Sequence, residues 1–184
     1  MRTVVDLRND DERGPDSARR PGGVQTVQVP LDGAEDRSFW EVWASGPQFA
    51  TPLYYRPHLD RFPERNAAVV AAVARAAPGG VVVHCGGGRD RTGQVAMLLL
   101  ALAGVPADVI ADDYALSQDR LRARYAALGE PDQGPRITAF LAERGLTTRG
   151  LIMEILSSVD LEARLRAGGL TGHDLAVLRA RLVG

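Results

Sequence analysis

The sequence predicts an α/β fold, a mostly parallel central sheet flanked by helices, with a helical C-terminal part. Three observations carry this. Patterned segments follow the order strand, strand, helix, strand, helix and then helices only. Val81-Val82-Val83 is a short unbroken apolar run behind Pro78-Gly79-Gly80, the pattern of a buried central strand. After Gly104 every patterned segment has helical spacing and helix-type caps.

Taken in order, Thr3 to Leu7 (TVVDL) reads as a short strand at the start of the chain. Asn9 to Gly23 is polar and rich in Arg, Asp, Gly and Pro, so it is expected as a loop. Val24 to Pro30 alternates apolar and polar residues and fits an edge or half-buried strand. A short helix is expected at about Arg37 to Ala44, then a packed loop to Arg56. Trp40, Trp43, Tyr54 and Tyr55 in this stretch are expected in the core. Leu59 to Ala77 reads as one long helix with Pro63 near its start, where proline is tolerated. Thr92 to Ala103 is a mostly apolar helix. Pro106 opens the next helix, Thr147 and Thr171 are N-cap candidates, and Thr171 with Asp174 forms a capping-box pattern. Gly129 to Pro135 and Gly145 are breaks. The organisation expected is one domain over 1–184, with 106–184 a mostly helical extension.

Composition narrows the function classes. The formal net charge is -1, so no global attraction to nucleic acid or anionic membrane is expected, and an anion site must be local. All 22 basic residues other than histidine are Arg, a bias that makes single Arg-for-Lys choices uninformative. A single cysteine, Cys85, excludes an intramolecular disulfide framework. The start of the chain has no apolar segment of the secretory kind, and Val95 to Val105 is too short to span a bilayer. A soluble cytoplasmic protein without membrane insertion is expected.

Chemistry concentrates in His84-Cys85-Gly86-Gly87-Gly88-Arg89-Asp90-Arg91-Thr92-Gly93, between a predicted strand and a predicted helix. A strand-loop-helix of this kind aims backbone N–H groups and a helix N-terminus at one point, which suits a phosphate dianion. Gly86, Gly87 and Gly88 let the backbone curl without Cβ clashes. The same setting favours thiolate over thiol, and thiolate is the nucleophilic form. Arg91 can fold back as a planar fork on two phosphoryl oxygens. Thr92 can set a hydroxyl near the sulfur and ease its departure. His84 is expected to orient the loop rather than act as a base.

These residues carry a resemblance. Cys-x5-Arg followed by Thr-Gly and preceded by His matches the phosphate loop of protein tyrosine phosphatases. HCGGGRDRTG resembles more narrowly the HCxxGKDRTG loop of a bacterial tyrosine phosphatase family that includes dual-specificity and phosphoinositide phosphatases. Val4 to Arg8 is similar to its VIDLR strand, Ala111 to Ser117 to its ADYxLS helix, and the stretch from Asp160 onward to its tail. The resemblance implies catalytic roles for Cys85, Arg91, Asp90 and Thr92, and phosphate binding by Gly86, Gly87, Gly88, Arg89, Asp90 and Arg91. It implies hydrolysis through a phosphocysteine, no metal or other cofactor, and a phosphorylated protein or a phosphoinositide as substrate. Helices after the ADYxLS segment are expected to border the pocket, with part of 118–150 as a lid. Two departures stand out. Arg89 replaces the usual Lys, and Met1 precedes the DLR strand almost directly where relatives carry a further segment, so either a sheet short of a strand or a truncated start is expected.

Several residues have plainer readings. Arg89 alone reads as a solvated rim charge. Asp6 and Arg8 read as braces of the loop. The general acid is expected to be Asp90, inside the loop, with Asp36 and Asp60 as upstream alternatives; the contrary reading has Asp90 only pairing a neighbouring Arg. Two further functions compete. A rhodanese-like sulfurtransferase also sets a Cys on a cradle loop, but Arg91-Thr92-Gly93 favours phosphate. A non-catalytic phosphate-binding pseudophosphatase would lack one of Cys85, Arg91 or Asp90, and all are present.

Overall fold

The structure, a computed structural model, describes residues 1–14 and 20–184. Its sheet has three strands among those residues: β1 (Thr3–Asp6), β2 (Gln25–Gln28) and β3 (Val81–His84). All pairings are parallel, in the order β2-β1-β3. Val5 stands between Val27 and Val83, and Asp6 between Gln28 and His84. Every residue of β1 is buried, as a parallel strand covered on both faces must be.

The Val run behaves differently from expectation. It forms β3 at an edge of the sheet, and Val82 is 43% exposed. The central place belongs to β1, whose Thr3 and Asp6 interrupt the apolar pattern used to recognise buried strands. β2 is the other edge, exposed along most of its length, as its alternation predicts.

Between β2 and β3 lie α1 (Arg37–Trp43), α2 (Tyr55–Arg61) and α3 (Pro63–Ala74). The single helix expected over Leu59 to Ala77 is thus two. Phe62, with φ -127° and ψ 52°, breaks it, because a residue before proline is pushed out of the α region. Pro63 then serves as the first helical residue of α3. The loop expected over Asn9 to Gly23 contains one 3-10 turn, Asp10–Glu12, and its residues 15–19 lie outside the described residues.

After β3 come α4 (Asp90–Leu102), α5 (Ala107–Leu128), α6 (Gly134–Ala142), α7 (Thr148–Ser158), α8 (Leu161–Ala167) and α9 (Gly172–Val183). Gly129 ends α5 in the left-handed conformation, φ 67°, which glycine reaches without steric cost. Thr147 and Thr171 cap α7 and α9 as expected, and Thr171 with Asp174 makes a full capping box. Asp174 also receives Arg75, the C-cap of α3, through two hydrogen bonds of 2.7 and 2.8 Å, tying the last helix to the body.

The core gathers Val5, Leu7, Leu31, Tyr55, Leu59, Val69, Leu98, Ile152, Leu165 and Leu178 around the sheet. Full burial of each such side chain stabilises by about 1.5–3 kcal/mol. A smaller cluster of Ile137, Leu141 and Leu151 holds α6 against α7. No helix among the described residues is long and apolar enough to cross a membrane.

Candidate active site

In a parallel sheet, ligands gather beyond the carboxyl ends of the strands, where neighbouring strands lead their chains in opposite directions. Order β2-β1-β3 makes the β1/β3 border such a place. Cys85 follows β3 there, and Arg8 to Glu12 follow β1.

Cys85 is 8% exposed. Its Sγ accepts the Gly88 N–H at 3.3 Å and the Thr92 hydroxyl at 3.2 Å. The loop turns at Gly88, φ 76°, the one glycine of the three whose conformation demands it. Gly86 and Gly87 have open space where a Cβ would sit, with nothing closer than 3.7 Å at Gly86. α4 begins at Asp90, so its N-terminus faces the region of the sulfur and adds a positive dipole end.

His84 supports the loop from below. Its Nδ1 donates to the Cys85 carbonyl at 3.1 Å, and its Nε2 lies 3.7 Å from Asp6 Oδ1. Burial raises the affinity of Asp6 for a proton, but hydrogen bonds from the Arg8 side chain and backbone overcome it and hold the carboxyl below its usual range. The bracing expected of Asp6 and Arg8 matches this geometry: Arg8 Nε and Nη2 reach the two Asp6 oxygens at 2.9 and 2.8 Å.

Arg91 points to two acids that sequence reasoning missed. Nη1 donates to Glu12 Oε2 at 2.5 Å, Nη2 to Glu12 Oε1 at 2.6 Å, and Nη1 also to Asp32 Oδ2 at 3.1 Å. Asn9 serves both acids, giving its backbone N–H to Glu12 and its side-chain amide to Asp32, each at 2.9 Å. The two carboxyls are driven apart. Hydrogen bonding to Arg91 lowers Glu12, against a smaller opposing effect of burial. Burial raises Asp32, and the Arg91 charge only partly offsets it. One is thus a structural anion and the other holds its proton longer. Position could have flagged both, since each follows the carboxyl end of a parallel strand by a few residues.

Asp90 lies where the loop enters α4. Arg89 brackets its carboxylate, Nε to Oδ1 at 3.1 Å and Nη2 to Oδ2 at 3.2 Å. The Asp90 carbonyl accepts the Tyr55 hydroxyl at 2.7 Å, so the Tyr114 hydroxyl, 2.7 Å away, donates to Tyr55 in turn. Arg89 is not the solvated rim charge its composition suggests. Its side chain is 14% exposed and Nη1 reaches the Tyr125 hydroxyl on α5 at 3.3 Å. That contact brings part of 118–150 to the border of the loop, and Gln118, Leu121, Tyr125, Asp132 and Gly134 line a cleft with Arg89.

The upstream acids are elsewhere. Asp36 caps α1, accepting from Phe39 N–H at 3.1 Å, Ser38 Oγ at 2.7 Å and Arg61 at 2.7 Å, with its pKa lowered to about 2. Asp60 pairs with Arg164 at 2.8 Å. Neither joins Cys85, Arg91, Asp90 and Thr92.

Comparison with known proteins bears on the family. The model of the tyrosine phosphatase family matches residues 1–184. A tyrosine-protein phosphatase of Nostoc commune is 34% identical over 115 residues, 61% of this chain and 39% of that protein. The triple specificity protein phosphatase PtpB of Mycobacterium tuberculosis is 34% identical over 179 residues, 77% of this chain and 63% of that protein. The chain thus spans less than two thirds of the length of these relatives.

Proposed function

The chain belongs to the tyrosine phosphatase family, and on that premise we propose that it hydrolyses phosphomonoesters, phosphotyrosine in proteins first among them, with Cys85 as nucleophile. The observation that carries the reading is the Cys85 sulfur, held by Gly88 N–H and Thr92 hydroxyl at the mouth of α4, with the Arg91 guanidinium reaching the loop at Gly86. Sulfur transfer has no need of a fixed planar cation beside the thiol; a phosphoryl group with three oxygens does.

On this reading the steps are as follows. The thiolate attacks phosphorus, an S–P bond forms, and the P–O bond to the leaving group breaks. Loop N–H groups and Arg91 stabilise charge on the three equatorial oxygens. Asp90 gives its proton to the leaving oxygen. Water then attacks phosphorus and returns a proton to Asp90, while the sulfur departs with the Thr92 hydroxyl hydrogen-bonded to it. A second reading assigns the proton transfer to Asp32. Its raised proton affinity beside an ionised Glu12 favours it, since carboxyls pushed apart in this way divide acid and anchor roles.

One relative is named a triple specificity protein phosphatase, a reason to assay more than one substrate class. The test compares a phosphotyrosine peptide, a phosphoserine peptide and a soluble phosphoinositide on the purified chain. Preference for the first, lost in Cys85→Ser, is the expected result. Turnover that survives in Cys85→Ser would end the reading.

A further inference from the structure

Behind the site lies a polar cluster sealed from solvent: His58 on α2, Asn66 on α3 and Gln94 on α4. His58 Nε2 stands 3.1 Å from the Leu31 carbonyl oxygen. A carbonyl can only accept, so Nε2 carries the proton. In neutral imidazole Nδ1 is then an acceptor. It receives Gln94 Nε2–H at 2.9 Å and Asn66 Nδ2–H at 3.3 Å. Gln94 gives its other N–H to Asn66 Oδ1 at 2.8 Å, and Asn66 its other to the Phe62 carbonyl at 2.8 Å. Burial keeps the ring neutral, its pKa lowered to about 4.

The orientation of the Gln94 amide is forced. Turned over, its oxygen would face two acceptors, His58 Nδ1 and Asn66 Oδ1. As it stands, Oε1 is buried without a partner among the described residues. An unpaired buried acceptor of this kind is destabilising. An apolar side chain at position 94 would remove that orphan but leave the buried Asn66 Oδ1 without its donor, so His58, Asn66 and Gln94 act as one set whose place in the fold matters.

Position accounts for the set. Leu31 directly precedes Asp32, whose Oδ2 accepts from Arg91 Nη1 at 3.1 Å. Arg91 and Gln94 lie one turn apart on α4, on neighbouring positions of one face. The N-terminal part of α4 therefore reaches the Leu31–Asp32 segment twice, directly through Arg91 and indirectly through Gln94 and His58. Trp40 Nε1 donates to the Asp32 carbonyl at 3.1 Å and supports the next peptide of the same segment.

We propose that His58 is a positioning residue for the Asp32–Arg91 pair, linking the Leu31 carbonyl to Gln94 so that the Asp32 carboxyl keeps its place beside the guanidinium. The kinetic part of its test rests on the phosphatase reading; the spectroscopic part does not. His58→Leu removes both links, whereas His58→Gln can still donate to Leu31 and accept from Gln94. The measurement that decides is the Asp32 carboxyl titration midpoint by carbon-13 NMR in wild type and both variants. It should move in His58→Leu and return toward wild type in His58→Gln, while that of Asp174, held by Arg75 in the last capping box, stays. An unmoved Asp32 midpoint overturns the proposal whatever the kinetics.

Aryl phosphate turnover supplies the second readout. His58→Leu should lose about tenfold or more in kcat with little change in KM, the scale on which small misplacement of a reacting group is felt. His58→Gln should recover most of it, and His58→Leu should add little in an Asp32→Asn background. Full additivity with Asp32→Asn, or equal losses in both His58 variants, overturns the proposal. A wild-type chain without turnover removes the phosphatase reading and leaves the midpoint to decide alone. Should His58→Leu not fold, Gln94→Met cuts the link to α4 while leaving the Leu31 bond, and it takes the place of His58→Leu in each measurement.

Discussion

Arg91 and Glu12 meet fork to fork, with Nη1 on Oε2 at 2.5 Å and Nη2 on Oε1 at 2.6 Å. The pair joins the loop after β1 to the first turn of α4, two segments far apart in sequence that the β1/β3 pairing brings to one end of the sheet. It fixes the plane of the guanidinium before any substrate arrives, and preorganised charge is what phosphoryl transfer uses. Glu12→Gln should therefore lower kcat/KM by about ten- to a hundredfold, since hydrogen bonds to charged groups contribute about 1.5–3 kcal/mol. A fall in KM instead would mean that Glu12 competes with substrate for Arg91.

The same pair has a pH signature. Folding lowers the pKa of Glu12 from 4.5, chiefly through Arg91. A carboxyl lowered on folding adds stability that is complete above its unfolded value and lost as pH falls through its folded one. The stability difference between wild type and Glu12→Gln should thus be level above about pH 5 and shrink below 4.5. Denaturant melts at stepped pH measure it, and a difference that grows on acidification would contradict the lowered value.

Cys85 and Thr92 should separate the two chemical steps. Cys85→Ser is expected to abolish turnover and still bind inorganic phosphate by calorimetry, because much of the cradle is backbone N–H. Thr92→Val removes the hydroxyl 3.2 Å from the sulfur and should slow loss of the phosphoryl group from it. Rapid-mixing assays would then show a burst of leaving group followed by a slow steady rate. Equal slowing of burst and steady rate would mean that Thr92 serves only the fold.

Gly93 has no room for a side chain. A Cβ there would stand 2.4 Å from Tyr114 Cε2, and Tyr114 is fixed in turn by its hydroxyl bond to Tyr55. Gly93→Ala should destabilise by about 1–3 kcal/mol, the usual cost of overpacking. It should also disturb catalysis, since Tyr55 holds the Asp90 carbonyl. Tyr55→Phe removes that hydrogen bond with little change in volume, and a loss of rate without a matching loss of melting temperature would place the effect at Asp90.

The legible parts of this chain were those written in local pattern. The caps at Thr147 and Thr171, the helix at Arg37–Trp43 and the loop from Cys85 to Thr92 each depend on residues close in sequence. Strand order was not local. Val81 to Val83 looks central because nothing in a valine run records how many neighbours the strand has, whereas β1 owes its central place to pairing on both sides. The Phe62 break was legible in principle from Pro63, but the apolar spacing on either side hid it. Glu12 and Asp32 escaped because no spacing links them to Arg91, 79 and 59 residues away. Arg89 was misjudged for a related reason: its hydrogen-bond partner Tyr125 stands 36 residues on.

Asp90 and Asp32 offer two routes for the proton, and their surroundings make them distinguishable. Asp90 sits in the loop itself, but Arg89 engages both of its oxygens, and that pair must loosen before Asp90 can turn to a leaving group. Asp32 is 9% exposed and raised by burial, so its acid form persists to higher pH than that of an ordinary carboxyl. It is also tied to Arg91 and Asn9 through one oxygen, Oδ2. The acid matters only when the leaving group needs a proton. Loss of the true acid should therefore slow alkyl phosphates and unactivated aryl phosphates far more than p-nitrophenyl phosphate, by about 10²–10⁴-fold for the poor leaving groups. A rate that depends on a protonated acid falls as pH rises through its pKa, and the raised value of Asp32 moves that fall upward. If Asp90 is the donor, Asp90→Asn shows the leaving-group dependence and Asp32→Asn lowers all substrates alike through Arg91. If Asp32 is the donor, the pattern reverses and Asp32→Asn also erases the fall at high pH. Uniform loss in both variants would assign each carboxyl to holding an arginine and send the search for the acid outside the loop.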